Sequence, residues 1–177
     1  MFGDDVTVKL FADDLKMYVK VNNIKDCQVL QLCLNTLYDW TIKWQLNIYQ
    51  IPKCVVLRLG NRNVSFTYNF NNLALPNVSV VRDLGVLIDS DLKFSSHIEA
   101  MVTKAHQRAS LILRCFKCSD PVLLYRAFVT YVRPIHEYNC QVWSPAYLYL
   151  INKIDRVHKS RAVFARGQGV RPPAKNV

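Results

Sequence analysis

Val6-Thr7-Val8-Lys9-Leu10-Phe11-Ala12-Asp13-Asp14-Leu15-Lys16-Met17-Tyr18-Val19 decides how this chain is read. Val6, Val8 and Leu10 alternate with Thr7 and Lys9, and Leu15, Met17, Tyr18 and Val19 come after the Asp-Asp pair. Alternation with β-branched and aromatic residues predicts two strands joined by a tight turn, with Ala12, Asp13 and Asp14 at or beside its tip. Two adjacent carboxylates at a turn repel each other unless a cation neutralises them. Hard cations such as Mg²⁺ take oxygen ligands and keep positions open for substrate phosphates. Two such ions can clamp the attacking and leaving oxygens of phosphoryl transfer. Asp is also a common turn residue for reasons unrelated to metals, so the pair alone leaves both readings open.

Outside that stretch, composition sets the bounds. The chain has 177 residues, enough to bury a real core and slightly long for one ordinary domain. No apolar run approaches the length that spans a bilayer, so no membrane partner is expected. Met1-Phe2-Gly3-Asp4-Asp5 has acid where a secretory leader would have base. The chain is expected to be intracellular, nuclear or cytoplasmic, and not secreted. The cysteines Cys27, Cys33, Cys54, Cys115, Cys118 and Cys140 are scattered through mostly apolar patterns, which reads as free thiols in a reducing compartment.

Charge is unevenly spread. The net charge is +10, and residues 1–92 contain nine Lys/Arg against nine Asp/Glu. Residues 93–177 contain fourteen Lys/Arg against Glu99, Asp120, Glu137 and Asp155, so the whole excess lies there. A basic half beside a neutral half suggests a polyanionic partner, foremost a nucleic-acid backbone. A merely soluble basic surface would carry the same charge.

Periodicity organises the rest. From Asp26 to about Asn47 the pattern is helical, with Leu30, Leu34, Leu37, Thr41 and Trp44 on one stripe and Asp26 as N-cap or first-turn acid. Residues 53–59 read as a strand ended by Gly60-Asn61, and short β-like pieces come next at 64–70, 73–75, 78–81 and 84–88. Ser95 or Ser96 is expected to cap a long helix reaching Phe116, striped by Ile98, Val102, Ala105, Ala109, Ile112 and Phe116. Asp120-Pro121 opens a further helix toward Tyr131. Pro134 and Pro145 are expected to break the stretch between Tyr131 and Asn152, and Asn152 or Asp155 begins a last basic helix. The fold class is α+β: a hairpin, a helix and short strands, then an all-α basic region from about Phe94. The expected division is 1–93, 94–166 and a disordered tail at 167–177.

In this order, the motifs resemble the reverse transcriptase of non-LTR, LINE-type retrotransposons, jockey-like elements in particular. Val8 to Tyr18 looks like the family's catalytic hairpin, Leu37-Tyr38-Asp39-Trp40 through Trp44-Gln45-Leu46 like the palm helix after it, and Lys53-Cys54-Val55-Val56-Leu57 like the next strand. Val81-Arg82-Asp83-Leu84-Gly85-Val86 resembles the primer-grip turn, and Leu92 to Ile98 the entry to the thumb. Tyr131 to Tyr138 and Val142-Trp143-Ser144-Pro145 match stretches typical of the same elements. The resemblance implies a partial polymerase palm followed by a thumb-like helical region. It implies Asp13 and Asp14 as catalytic Mg²⁺ ligands and Lys53 as a candidate proton donor to the leaving pyrophosphate. Leu84 and Gly85 would form the primer-grip-like turn, and Lys104, Arg108, Arg114 and Lys117 would contact nucleic acid. The implied partners are an RNA template, a DNA primer and dNTP.

Two departures stand beside it. The family's Asn three residues before the strand lysine is Gln50 here, with Pro52 added. The family's further metal-binding aspartate and its fingers belong upstream of the hairpin, and Asp4 and Asp5 are not expected to stand in for them. The expectation is therefore a fragment, inactive alone, missing an upstream polymerase half, with exposed apolar hairpin strands as one consequence. Asp13 and Asp14 are expected at a hairpin turn near the strand of Lys53, in a small sheet covered by the 26–47 helix. A non-catalytic basic nucleic-acid-binding module and a decayed element product are the alternatives.

The remaining motifs have ordinary readings. Cys115-x-x-Cys118 with His136 and Cys140 invites zinc, but a whole helix separates the halves and Cys115 ends an apolar stripe, so zinc is not expected. His97, His106, His136 and His158 have no catalytic partner evident in the sequence. Trp40 and Trp44, at helical spacing, read as core.

Overall fold

A computed structural model describes residues 6–46, 54–61, 63–116 and 120–166. The chain forms two compact units, residues 1–81 and 82–177. The fold is α+β, with helices and short strands. The division falls inside a strand and ahead of the boundary expected at 93/94, because residues 86–89 pack with the helix that comes after them.

In the first unit, β1 (Thr7–Phe11) and β2 (Asp14–Tyr18) pair antiparallel in the register Val8↔Met17, Leu10↔Leu15 and Phe11↔Asp14. Side chains alternate across a strand, so Val8, Leu10, Leu15 and Met17 share one face. Thr7, Lys9, Phe11, Asp14, Lys16 and Tyr18 share the other. Leu10 and Phe11 are 69% and 63% exposed, as expected for these strands. Helix α1 (Ile24–Lys43) begins earlier than expected. Asn23 is the N-cap, its side chain accepting from Lys25 and Asp26 N–H, while the Asp26 carboxylate accepts from Asn23 N–H at 3.0 Å. Asp26 is thus at the third helical position, closing a reciprocal capping box with Asn23, a device worth about 1 kcal/mol.

One core cluster of this unit joins Cys27, Tyr68, Phe70 and Leu75, with Leu30, Leu34 and Leu37 against it. Gln31 clips α1 to β4 (Asn69–Phe70): its amide nitrogen donates to the Asn69 carbonyl and its oxygen accepts from Asn69 N–H, both at 2.8 Å. The expected single small sheet is replaced, among the described residues, by separate strand pairs. β3 is only Val56–Leu57 and runs parallel to β6 (Asn77–Val78), while β4 pairs with β5 (Leu73–Ala74). The long strand expected at 53–59 shrinks because a strand extends only as far as its neighbour supplies hydrogen bonds. Trp40 and Trp44 also depart from expectation: they are 37% and 62% exposed. Trp44 is the C-cap, past the last helical turn, and Thr41 is buried instead.

β7 (Val80–Asp83) pairs with β8 (Val86–Asp89) through Leu84 at φ 44° and Gly85 at φ 88°. Two successive positive φ values make the tight turn that matches strand twist. Helix α2 (Ser95–Cys115) comes next, with Phe94 as its N-cap at φ 55° and no side-chain capping bond. The expected serine cap is therefore corrected: Ser95 and Ser96 lie inside the helix. A left-handed Phe costs about 1–2 kcal/mol, opposed here by packing of the Phe94 ring against the cluster of Val86, Ile98, Met101, Trp143 and Leu150.

Asp120 caps α3 (Pro121–Tyr131), accepting from Val122 N–H at 2.9 Å. Pro134 does not break the chain but sits in the first turn of the short α4 (Arg133–Glu137), and α5 (Cys140–Trp143) comes after it. α6 runs from Leu148 to Arg166, starting before Asn152 because Leu150 is fully buried. A second cluster joins Ala105, Ala109, Ile112, Leu124, Ala127, Phe128, Val132 and Val157. Among the described residues no helix is long and apolar enough to cross a membrane.

Tyr138 fixes the β7–β8 turn. Its hydroxyl donates to the Leu84 carbonyl at 2.7 Å, and its own carbonyl accepts from Trp143 Nε1 at 2.7 Å. A Cβ on Gly85 would lie 3.3 Å from Tyr138 Cε1, so ring and backbone conformation both select glycine. His97 is buried next to Trp143, ring centroids 5.4 Å apart, and its Nδ1 accepts from Leu87 N–H at 3.3 Å.

Gly85→Ala should destabilise the chain by about 1–2 kcal/mol through its positive φ and the Tyr138 contact. Tyr138→Phe should cost about 1 kcal/mol through the lost hydrogen bond. Urea midpoints check both. Burial holds the His97 imidazole below its ordinary value of 6.5, so the unfolded chain takes up the proton first. Stability contributed by neutral His97 is present above about pH 6.5 and is lost as pH falls below it through the folded-state value. The urea midpoint should therefore fall from pH 7 to pH 5, less steeply in His97→Gln.

Candidate functional site

Asp13 lies in the turn between β1 and β2, and Asp14 is the first residue of β2. Both carboxylates are exposed, and Ala12 beside them takes φ 52°. The turn arises from the alternation on each side, since a two-residue link keeps Leu10 opposite Leu15 and their side chains on one face. On the other face, Lys16 is two residues along from Asp14 and Lys9 is diagonal to it. Such diagonal neighbours sit about 7–8 Å apart, so lysine charge partly offsets carboxylate repulsion.

Two exposed oxygen donors suit a hard cation as part of a ligand set. Two-metal clamping takes more oxygens than this tip supplies. Among the described residues, no three His, Cys, Asp or Glu side chains converge to hold a metal. Lys53, Lys117 and Cys118 lie outside the described residues, as do Asp4, Asp5 and the tail at 167–177. Of the suggested cysteine–histidine set, Cys115 is exposed at the end of α2, Cys140 half-buried and His136 buried.

Leu84 and Gly85 sit in the turn clasped by Tyr138. Two separately quoted motifs, 81–86 and 131–145, thus meet in one structure. Sequence reasoning assigns no role to Tyr138 or Trp143, because the bond from Tyr138 to the Leu84 carbonyl joins residues 54 apart in the chain.

Lys104, Arg108 and Arg114 are all exposed on α2. At about 100° per residue, Lys104 and Arg108 share a side, while Arg114 projects from another and its Nε reaches the Ser110 carbonyl at 3.4 Å. The three do not form one continuous row. His106 is exposed on α2, unlike His97.

No family model matches this chain, and no solved structure matches it. It is 33% identical over 88 residues to the uncharacterized protein B0403.1 of Caenorhabditis elegans, covering 49% of this chain and 44% of that protein. It is 28% identical over 163 residues to the probable RNA-directed DNA polymerase from transposon BS of Drosophila melanogaster. That match takes in 88% of this chain and 18% of the polymerase. The chain therefore spans less than half of the first relative's length and under a fifth of the second's.

Proposed function

We propose that this chain is part of an RNA-directed DNA polymerase of a jockey-like, non-LTR retrotransposon, comprising the distal palm and the thumb. One observation carries the reading: an Asp-Asp pair at a β-hairpin tip, in a chain similar over 88% of its length to a transposon polymerase. In the parent enzyme, Mg²⁺ ions would activate the primer hydroxyl and stabilise the pyrophosphate leaving group. Asp13 and Asp14 would supply carboxylate oxygens to those ions. Lys53 would stand ready to give a proton to the pyrophosphate. Leu84 and Gly85, held by Tyr138, would support the primer end. Lys104, Arg108, Arg114 and Lys117 would neutralise backbone phosphates of the RNA template and DNA primer. The exposed Leu10, Phe11 and Leu15 fit a hairpin that further palm elements cover in the parent.

The basic second half also supports a non-catalytic nucleic-acid-binding module, and two experiments separate the readings. The first extends the coding sequence upstream of Met1. An in-frame strand bearing a further aspartate supports the polymerase, and stop codons immediately upstream support a decayed element. The second assays the chain alone with primed RNA, Mg²⁺ and dNTPs. It should incorporate no more than an Asp13→Ala, Asp14→Ala double variant, because the tip supplies too few metal ligands. Robust incorporation abolished in the double variant would overturn the expected inactivity.

Binding should persist in the isolated chain. RNA–DNA duplex affinity should fall steeply with salt through counterion release. Lys104→Gln with Arg108→Gln and Arg114→Gln should weaken all sequences alike and flatten the salt slope. Salt-independent binding would sink this part of the reading.

A further inference from the structure

Helices α2 and α6 touch twice at one sequence offset. Ser95 Oγ lies 3.0 Å from Tyr149 Oη, and Lys153 Nζ donates to the Glu99 carboxylate. Both pairs ascend the chain together, so the helices run parallel here. Between them lies an open cleft of about 370 Å³ lined by Glu99, Val102, Thr103, His106, Lys153 and Arg156. Val102 packs against both apolar clusters of this unit and gives the cleft an apolar base.

The cleft is not the surface that Lys104 and Arg108 present. At about 100° per residue, Glu99, Val102, Thr103 and His106 share one stripe of α2, and Lys104 and Arg108 leave from roughly the opposite side. The same geometry on α6 turns Lys153 and Arg156 into the cleft and Asp155 away from it, while Lys159 stands one turn beyond Arg156, outside the cleft's lining. Burial of the apolar stripe has sorted the basic residues of α2 and α6 into separate faces.

The lining suits an anion with several acceptor oxygens. Arg156 offers a planar fork of donors and Lys153 a compact charge, while Thr103 adds a hydroxyl and His106 an imidazole. Lys153 Nζ also lies 5.9 Å from the Tyr149 ring centroid, so its position is shared between the ring and Glu99. A single carboxylate would compete with Glu99 like for like, whereas a polyanion also gains from the charge excess of this half of the chain. A phosphodiester has two non-bridging oxygens and can engage Lys153 and Arg156 together.

We propose that the α2–α6 cleft binds a phosphate of a nucleic-acid backbone, with Glu99 as the internal competitor that this phosphate displaces from Lys153. The identity of the polyanion rests on the polymerase reading above; the location of the site rests on the cleft itself.

The test is anisotropy of a labelled RNA–DNA hybrid with the full chain, alongside charge-matched variants. Glu99→Gln should tighten binding several-fold, and Asp155→Asn, the same charge change facing away, should leave it nearly unchanged. Arg156→Gln should weaken binding and lower the log–log salt slope by about 1, with a smaller effect from Lys159→Gln. The ring signals of His106 should shift on titration, and a poly-glutamate peptide should compete poorly. Equal effects from the lining and non-lining members of each pair, with the His106 ring unmoved, would overturn the cleft while leaving the polymerase reading intact. Equal competition by poly-glutamate would overturn the phosphodiester assignment. Absence of hybrid binding by the parent chain at low salt would sink the cleft proposal and the binding part of the polymerase reading together.

Discussion

The second unit depends on the burial of one stripe of α2. Ile98, Met101, Ala105, Ala109 and Ile112 are all at most 5% exposed. The N-terminal part of that stripe meets Val86, Trp143 and Leu150, and the C-terminal part meets Leu124, Phe128, Val132 and Val157. Ala105 and Ala109 of the stripe and Ala127 of α3 lie in the more C-terminal cluster, where small side chains let neighbouring helix backbones approach closely. The β7–β8 hairpin is tied to the N-terminal cluster through Val86 and, at the adjoining turn, through Tyr138, whose carbonyl accepts from Trp143. Rigidity at its turn is thus a consequence of helix packing rather than of the turn itself.

Burial on that scale dictates where charge can go. A helix that gives a third of its circumference to a core must place every cation on the remaining surface. α2 therefore divides its polar residues between an outward face with Lys104 and Arg108 and the margin beside α6. At that margin Glu99 holds Lys153. Exposed ion pairs contribute little stability, so this one is better understood as setting where a lysine points than as holding the helices together. The apolar contacts beneath it do that.

Much of this was legible in the sequence because it depends on local rules. The hairpin came from strict alternation, and the Asp120-Pro121 start from the preference for Pro in a first helical turn. The apolar stripe of α2 came from steps of three and four. The features that the sequence concealed depend on distant partners. Phe94 is a poor cap by any local rule, and its left-handed backbone is offset by packing against a cluster that takes in Trp143 and Leu150 from far along the chain. His97 has the look of a surface residue on a basic helix, yet β8 supplies the Leu87 amide that accounts for its burial. Trp40 and Trp44 have core spacing but meet the end of α1, where Leu46 N–H bonds to the Thr41 carbonyl and the helix is over. Apolar patterning overstates strand length in residues 54–78 for the same reason, since pairing needs a partner of equal length.

The candidate catalytic hairpin obeys the opposite logic to α2. Its register is fixed by a short turn, not by a core, and its apolar face of Val8, Leu10, Leu15 and Met17 is half-buried at one end and open at the other. An isolated two-stranded hairpin is marginal in water, and directly opposed Lys9 and Lys16 weaken this one further. A tip proposed to hold metal ions would need neighbours that fix the hairpin. The position of the aspartates at the tip can be read from a few residues of sequence because the turn is local. Their geometry depends on covering the apolar face, and the same open face leaves the strand edges available for unintended pairing.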